Sequence, residues 1–514
     1  MKGCTLMQGD LPIAFNNALQ DVPLCLNKKV FEVMEHCFKN MISIGKFRRL
    51  ERREITNNLT ETSTEEEIKS YKRLRRELED ANAQIERDNC RTTELVFVAR
   101  KFINETRIYL CYSFCYRGRI YTLQTALSPQ GCDPERSLFL FADEGAINEW
   151  WLAFHTATCW GGGLDKAELN ARVEWTRSNT DLITEIATDP CGTIKLWRDA
   201  DEPWSALASM IEYYDCCIAQ TKKTSGIPCG IDATASGIQH LAASTLDATS
   251  SRMVNLLPTK KPVDAYGLVA EKSKEYLPEK YHSWMTRNVT KRTTMCLPYG
   301  LSRHGSRGYL RDSLISAGHE LETGDLTTIT SAVYEKAIPE IFPGPINVMN
   351  WIKRSVKELM RDGTENLTWV TPSGFVVRQD LRKPTTRRIN THLMGVGRIT
   401  ASVYQGPGEV DATHHVSATS PNLVHSWDAS LLCFVFTDNG WGADKPFSVI
   451  HDCVMARSCD MDDLASEVRV HFAEMYKGDP LQDWADQLGI KVPDGLIIGD
   501  LDLDQVNQSD YFFS

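Results

Sequence analysis

The chain has 514 residues, of which 42% are hydrophobic and 24% charged, and its formal net charge is −11. This length is enough for one large core or two to three lobes, and the composition is that of a soluble globular protein. Its apolar runs are too short to cross a membrane, and the first residues lack the apolar stretch of a signal peptide. The 16 cysteines form no CxxC pair, which favours reduced thiols of a cytoplasmic protein over a zinc site.

The residue patterns, taken in chain order, predict a mixture of helices and strands. Helices are expected over 1–50, 64–103, 145–224 and most of 263–360, and β-structure over 108–125, 369–378, 378 to about 415, and 447–455. The 64–103 segment is highly charged, which suits an arm projecting into solvent. Strands this far apart in sequence indicate an α+β core with inserted helical lobes.

Basic residues are concentrated in four clusters in spite of the negative net charge. These are KFRRLERR (46–53), KRLRR (72–76), RNVTKR (287–292) and RKPTTRR (382–388). Each cluster by itself is typical of a solvated helix face. Four of them outside an acidic C-terminal segment favour a groove that binds nucleic acid.

Two aspartates follow apolar, strand-like segments. Asp232 lies in IPCGIDATASGIQH and Asp452 in VIHDC. The simpler interpretation of Asp232 is a helix N-cap. The alternative brings the two carboxylates together, where they would repel each other unless divalent cations lay between them. Two metals held in this way stabilise the attacking and leaving oxygens of a phosphoryl transfer.

A third motif places Arg287, Lys291 and Tyr299 at helical spacing, followed by Gly300. In one helix these side chains form a single stripe, with two cations one turn apart that suit a triphosphate. Such cations are also common on helix surfaces. Pro298, directly before the tyrosine, should end or kink the helix.

Two further segments carry residues that suit either a structural or a functional role. The turn Arg117-Gly118-Arg119 is flanked by tyrosines, and it reads either as a surface turn or as a contact to nucleic acid. His425 lies in the apolar helical segment PNLVHSWDASLL, where a hydrogen-bonded core histidine is the simpler interpretation.

Taken together, these motifs resemble those of the single-subunit RNA polymerases of T-odd bacteriophages and mitochondria. DATASGIQH and VIHDC are similar to the two metal-binding palm motifs, and RNVTKRTTMCLPYG is similar to the fingers helix. YRGRIYTLQTALSPQGCD is similar to the Arg-Gly-Arg motif, and PNLVHSWDASLL to the segment with the nucleotide-facing histidine. The resemblance extends over nearly the whole chain from about residue 15.

The resemblance implies an α+β right-hand polymerase with palm, fingers and thumb, an antiparallel palm sheet and large helical lobes. The expected domains are a short N-terminal helical segment (1–50), a thumb-like arm (51–105), a first part of the palm (106–248), fingers with a basic hairpin at 378–412 (249–424), and a second part of the palm with a C-terminal foot (425–514). The implied activity is that of a DNA-directed RNA polymerase, which adds ribonucleotides to an RNA 3′ end with two Mg²⁺ ions.

The resemblance also implies a role for individual residues. The implied catalytic residues are Asp232, Asp452, Lys291 and Tyr299. The implied metal ligands are Asp232, Asp452 and the carbonyl of Ala233. The implied nucleotide-binding residues are Arg287, Lys291, Tyr299, Gly237 and His425. The implied nucleic-acid contacts are Arg117, Arg119, Arg292, Arg382, Lys383, Arg387 and Arg388, the last four within the hairpin that reads promoter DNA in the phage enzymes.

The chain departs from the family pattern at several positions. Cys115 stands where the family usually has Asp, Pro298 where a small helix former is usual, and His304 and Ser306 near positions that are often aromatic. Only about 50 residues precede the arm, where phage relatives carry a promoter-binding domain. We therefore expect a separate polypeptide or a promoter-activating protein to assist transcription in the phage-infected host cytoplasm, or initiation on single-stranded or pre-melted DNA.

Two other functions remain as alternatives. Family A DNA polymerases share this palm, but there the fifth residue after the first Asp is a Glu that excludes a ribose 2′-hydroxyl. Here that residue is Gly237, and Cys453 replaces the Glu that usually follows their second Asp. Both differences favour RNA synthesis. The second alternative is a non-catalytic nucleic-acid-binding subunit.

Overall fold

The computed structural model describes residues 6–56, 59–60, 63–164, 167–393, 397–437 and 440–513. Small parts of the predicted N-terminal segment, arm and basic hairpin lie outside the described residues, at 1–5, 57–58, 61–62 and 394–396. No described helix is both long and apolar enough to span a membrane. The described cysteines are all free thiols.

Helices form most of the described secondary structure. They are α1 (Asp10–Gln20), α2 (Lys28–Lys39), α3 (Glu65–Phe102), α4 (Asp133–Arg136), α5 (Glu149–Trp160), α6 (Leu169–Ser178), α7 (Thr180–Thr188), α8 (Ile194–Trp197), α9 (Pro203–Tyr213), α10 (Ser236–Ser244), α11 (Ala248–Met253), α12 (Ala265–Lys274), α13 (Arg287–Met295), α14 (Arg303–Ser316), α15 (Asp325–Thr330), α16 (Ile338–Ile341), α17 (Pro343–Arg361), α18 (Ala412–Thr437), α19 (Met461–Lys477) and α20 (Pro480–Gln487).

Most strands have two to four residues, β10 and β11 are longer, and the strands pair only in antiparallel fashion in the described part of the chain. They are β1 (Leu24–Leu26), β2 (Tyr112–Phe114), β3 (Ile120–Thr122), β4 (Phe139–Phe141), β5 (Gly145–Ala146), β6 (Thr224–Ser225), β7 (Cys229–Asp232), β8 (Leu367–Val370), β9 (Val376–Gln379), β10 (Arg382–Leu393), β11 (Gly397–Val410), β12 (Phe447–Ile450) and β13 (Cys453–Ala456). The predicted α+β class, with an antiparallel palm sheet and large helical lobes, is confirmed.

A three-stranded sheet in the order β12-β13-β7 carries both candidate metal-binding motifs. Cys453 pairs with Asp232 and also with Ile450, so strands that are more than 200 residues apart in sequence meet at one end. Ile231, Val449 and Val454 are buried on this sheet. The sheet is therefore held in place by the core and presents its end to solvent.

The single strand predicted over 447–455 is wrong. The segment folds back on itself, because Ile450 pairs with Cys453 and leaves His451 and Asp452 as a two-residue hairpin turn. His451 has φ 60°, in the left-handed region that histidine enters more readily than most residues other than glycine. Asp452 consequently lies at the tip of a hairpin and not within a strand.

The predicted helix over 64–103 is confirmed as α3, which begins with a capping box formed by Thr64 and Glu67. An extended segment lies along this helix. Asn89 exchanges hydrogen bonds with the backbone of Leu50, and Asn82 does so with the backbone of Arg53. The assignment of 51–105 to a thumb stays a prediction.

Helix α18 lies within the core and positions the residues behind the sheet. Most of its side chains after Thr419 are buried, and it packs against α1, α10, α17 and α19. A helix that is buried on nearly all sides places its polar residues next to partners from several elements. Both His425 and Asp428 belong to this buried stretch.

Candidate active site

The two candidate metal-binding aspartates lie side by side at one end of the sheet. Asp232 is the last residue of β7 and pairs with Cys453 of β13. Asp452 directly precedes Cys453 in the chain. The helix-cap interpretation of Asp232 is wrong, because α10 begins at Ser236 and its N-cap, Ala235, makes no side-chain cap hydrogen bond. The Asp232 carboxylate is therefore available to a ligand.

The surroundings of both carboxylates disfavour their charged forms. Removal from water and the nearby Asp452 raise the pKa of Asp232 to about 7. Removal from water and the buried Asp428 raise the pKa of Asp452 to about 6. Two neighbouring carboxylates with raised pKa values are what a divalent cation would relieve.

The donor set fits Mg²⁺, which uses one or two carboxylates and completes its shell with water and substrate phosphates. No group of three or more His, Cys, Asp or Glu side chains suited to a metal occurs among the described residues.

A cavity of about 400 Å³ opens beside the carboxylates. Among the residues that line it are seven of those implicated from the sequence: Asp232, Ala233, Gly237, Arg287, Lys291, Tyr299 and Asp452. They come from the end of β7, the start of α10, helix α13, the turn that follows α13, and the β12–β13 turn. The fold thus gathers the separate motifs around one space of a size suited to a nucleotide.

The helical stripe predicted from Arg287 to Tyr299 is only partly correct. Helix α13 ends at Met295, and a turn follows in which the Tyr299 amide donates to the Cys296 carbonyl. This agrees with the expected effect of Pro298, which has no amide hydrogen and cannot continue a helix. Tyr299 still lines the cavity, but it lies beyond the helix.

The two cations of α13 differ in their partners. Arg287 Nε donates to both carboxylate oxygens of Asp264, at 3.1 and 3.0 Å, and its guanidinium lies over the Tyr266 ring. Lys291 is exposed, and among the described residues it has no acidic partner. Sequence reasoning missed Asp264 and Tyr266, which both lie in the cavity wall and belong to none of the motifs named above.

Gly237 is packed tightly against the turn after α13. A Cβ at this position would lie 2.6 Å from Cγ and 2.8 Å from Cβ of Pro298, which is closer than real Cβ contacts. The lack of a side chain at residue 237 therefore makes room for the ring of Pro298. This close contact packs the start of α10, which follows Asp232, against the turn that carries Tyr299.

His425 lies behind Tyr299, with their ring centroids 5.0 Å apart. Burial, with the charges of Arg119 and Arg117, lowers the pKa of His425 to about 2, so its ring is neutral. Arg117 Nη1 lies 3.0 Å from His425 Nδ1. Because arginine only donates, Nδ1 accepts and the ring proton lies on Nε2.

Arg119, the second arginine of the Arg-Gly-Arg turn, is largely buried. Its Nε and Nη2 lie 3.0 and 2.5 Å from Asp428 Oδ2, and its side chain is only 10% exposed. Sequence reasoning missed Asp428, which carries no motif of its own within the apolar helix α18. Nε and Nη2 of Arg119 are thus committed to Asp428 and are not available for the nucleic-acid contact predicted from the sequence.

The predicted nucleic-acid residues of the fingers and the hairpin lie apart from the cavity. Arg292 lies over the Tyr309 ring at 4.1 Å. At the base of the β10–β11 hairpin, Arg382 pairs with Glu365 and Asp380, and Lys383 pairs with Glu409. Arg387 and Arg388 are exposed on β10, and neither has an ion-pair partner among the described residues.

The raised carboxylate pKa values predict how pH affects stability. A folded-state pKa of about 6 for Asp452, against 3.8 for the free group, means that the folded protein binds more protons than the unfolded chain. This group therefore destabilises the metal-free fold at pH 7.5, and the destabilisation disappears as pH falls through 6 towards 4.

We expect Asp452→Asn to melt at a higher temperature than the wild type in EDTA at pH 7.5, and the difference to shrink at pH 5. Thermal melts at both pH values measure this. An Asp452→Asn protein that is less stable than the wild type by the same amount at both pH values would contradict the claim that the Asp452 charge destabilises the metal-free fold.

Known proteins with similar sequences share one activity in their names. The chain is 28% identical to "T7 RNA polymerase" of Escherichia phage T7 over 485 residues, covering 81% of this chain and 54% of that protein. It is 28% identical to "DNA-directed RNA polymerase 2, chloroplastic/mitochondrial" of Arabidopsis thaliana over 477 residues, covering 87% and 46%. The chain thus spans about half the length of these relatives.

Two further comparisons concern the fold and the family. The solved "POL domain of Pol1 from M. smegmatis complex with DNA primer-template and dNTP" aligns with 91% of this chain and 67% of its own length, at 12% identity and a TM-score of 0.43. The family profile of DNA-dependent RNA polymerases matches residues 143–498, which is more than half of the chain and includes both aspartates of the cavity. The chain therefore belongs to the DNA-dependent RNA polymerase family.

Proposed function

We propose that the chain is a DNA-directed RNA polymerase that transfers nucleotidyl groups from ribonucleoside triphosphates to an RNA 3′ end under the direction of a DNA template. The observation that carries this proposal is the cavity in which the paired Asp232 and Asp452 face Lys291. Family membership supports the same conclusion.

In this proposal Asp232 and Asp452, with the Ala233 carbonyl, hold two Mg²⁺ ions. When bound, these ions would supply electrostatic stabilisation of the charge that develops on the oxygens around the reacting phosphorus. The RNA 3′ oxygen forms a bond to the α-phosphorus and the 3′ hydroxyl proton passes to solvent water. The bond to the bridging oxygen of the β-phosphate breaks, and pyrophosphate leaves.

The other residues of the cavity bind and orient the nucleotide. Lys291 is free to neutralise the triphosphate, and Arg287 joins it when phosphate competes with Asp264 for the guanidinium. Tyr299, with the ring of the neutral His425 packed behind it, offers an aromatic surface to the sugar. Gly237 and Cys453 present no acidic side chain that would exclude a ribose hydroxyl.

The proposed macromolecular partners are a DNA template and the nascent RNA. Arg117 and Arg292 are proposed to contact them, and Arg382, Lys383, Arg387 and Arg388 are proposed to contact promoter DNA along the hairpin. Assistance by a separate polypeptide and action in a phage-infected cytoplasm stay predictions. Initiation assays that compare an intact duplex promoter with a pre-melted one test the first of these.

A primed template tests the function and separates the alternatives. On an RNA primer annealed to a DNA template, with Mg²⁺ and one complementary nucleotide, we expect the ribonucleotide to be added with a kcat/KM at least tenfold higher than the deoxyribonucleotide. Preferential addition of the deoxyribonucleotide would identify a DNA polymerase. A protein that binds the scaffold but adds neither nucleotide would be a non-catalytic subunit.

A further inference from the structure

A buried polar cluster lies behind the cavity and outside the machinery described so far. Its centre is Asp428, which accepts hydrogen bonds from Arg119 at 3.0 and 2.5 Å through Oδ2. Its other oxygen, Oδ1, lies 3.8 Å from His240 Nε2. The second ring nitrogen of His240 lies 2.6 Å from the Tyr476 hydroxyl. The four side chains form a continuous chain of polar contacts.

The cluster is almost completely removed from water. The side chain of Asp428 is 4% exposed, and that of His240 is 2% exposed. A carboxylate at such depth is costly unless it is paired, and removing one partner leaves an uncompensated buried charge. Burial alone would raise the pKa of Asp428, but Arg119 and His240 outweigh it and lower the pKa, so the ion pair persists.

The cluster joins the elements that carry both metal-binding aspartates. His240 lies on α10, which follows Asp232 directly, and Asp428 lies on α18. Arg119 leads into β3, which is tied to β12 because Gln130 Nε2 donates to the carbonyls of both Ile120 and Val449. These contacts connect α10 and the β12–β13 hairpin through one ion pair.

A second contact fixes the hairpin turn itself. The Tyr121 ring on β3 meets the His451 ring edge-on, at 5.1 Å between centroids. His451 directly precedes Asp452 and has the left-handed backbone conformation of the turn. A displacement of β3 would therefore move the residue beside the second metal-binding carboxylate.

We propose that Arg119, Asp428 and His240 are positioning residues that hold Asp232 and Asp452 at their working separation, and that Arg119 acts through Asp428 and not by touching nucleic acid. This inference rests on the proposed polymerase function. It replaces the template contact expected for Arg119 from sequence, because both nitrogens on one side of its guanidinium are committed to a buried carboxylate.

The test compares Arg119→Met, Asp428→Leu and the double variant on the primed scaffold. A positioning role predicts that each single change lowers kcat at saturating nucleotide about 10- to 100-fold. The scaffold Kd should stay within about twofold, with an unchanged salt dependence. Because the double variant leaves no unpaired charge, its loss should be smaller than the product of the single losses.

A direct contact to nucleic acid predicts the opposite pattern for Arg119→Met. The scaffold Kd would rise, the slope of log Kd against log salt would fall by about 1, and kcat at saturating scaffold would be retained. That outcome overturns the proposal. Losses in the double variant equal to the product of the single losses would also overturn it.

A matched buried pair elsewhere controls for general destabilisation. Arg457 Nε lies 2.6 Å from Asp460 Oδ2, with both side chains 13% exposed. Arg457→Met should lower the melting temperature but keep kcat within about twofold of the wild type at a temperature where both are folded. An equal loss of kcat in Arg457→Met would assign the effect of Arg119→Met to stability alone.

A readout without catalysis separates this proposal from the proposed function. The increase in melting temperature on adding Mg²⁺ should be smaller in Arg119→Met and Asp428→Leu than in the wild type, and unchanged in Arg457→Met. An inactive wild-type protein would refute the polymerase function, and this metal-induced shift would still report on the positioning of the two aspartates. Equal shifts in all variants would overturn the positioning role.

Discussion

Replacing Asp452 by Asn should abolish nucleotide addition and leave nucleic-acid binding intact. An amide cannot provide the negative charge that balances a divalent cation beside Asp232. We expect kcat to fall on the order of 10³-fold or more. This decrease is at least as large as the decrease caused by removing one group that contacts the transition state directly. Single-turnover extension of a primed scaffold at saturating nucleotide measures the rate, and fluorescence anisotropy measures the scaffold Kd.

The matched control is an aspartate in the same region that lies outside the cavity. Asp463 forms an exposed ion pair with Lys445, and its side chain is 64% exposed. Asp463→Asn should extend primers within about twofold of the wild type, since exposed pairs contribute little. An Asp452→Asn protein that keeps a tenth or more of the wild-type rate would remove this carboxylate from the chemistry.

The second large effect is expected from adding a single methyl group at Gly237. In Gly237→Ala the new Cβ would lie 2.6 Å from Pro298 Cγ, so the turn that carries Tyr299 must move. We expect at least a tenfold fall in kcat/KM for ribonucleotides, because small displacements of a positioned group cost large factors in rate. Steady-state extension with one nucleotide measures it.

A second-site change separates packing from ribose selection. Pro298→Gly removes both atoms that a new Cβ would meet, so Gly237→Ala with Pro298→Gly should regain much of the lost activity. Gly237→Glu should remain poor with ribonucleotides in the same background, since its longer side chain reaches the proposed ribose position. Gly308, on α14 with open space around it, is the control, because Gly308→Ala should have no effect.

If Gly237→Ala matches the wild type, the close contact with Pro298 has no functional role. In the Pro298→Gly background, Gly237→Glu and Gly237→Ala are compared for ribonucleotide addition. Equal rates for the two double variants would show that residue 237 does not select the ribose. The two outcomes are independent, so each part of the interpretation can fail separately.

Local sequence signals predicted the elements that have their own turn residues. The β8–β9 hairpin follows from Pro-Ser-Gly, where Gly374 has φ 84°, and the β2–β3 hairpin follows from Gly118 with φ 90°. The end of α13 follows from Pro298. In each case the residue itself dictates the backbone, so no tertiary information was needed.

The parts that were missed depend on contacts between distant segments. The turn at His451 and Asp452 has no Gly or Asn to mark it, and it forms because β13 pairs with β7 on one side and β12 on the other. Asp428 looks like any polar residue of a helix until Arg119, 309 residues away, is placed beside it. The contact of Gly237 with Pro298 likewise appears only when α10 and the end of α13 are brought together.

The central claim is template-directed RNA synthesis at the cavity of Asp232 and Asp452. The most direct measurement offers the wild-type protein four primed scaffolds that differ only in the templating base, each with the four ribonucleotides tested singly. We predict rapid addition only of the complementary ribonucleotide on every scaffold, and none by Asp232→Asn. Addition that ignores the templating base, or that persists in Asp232→Asn, would contradict the claim.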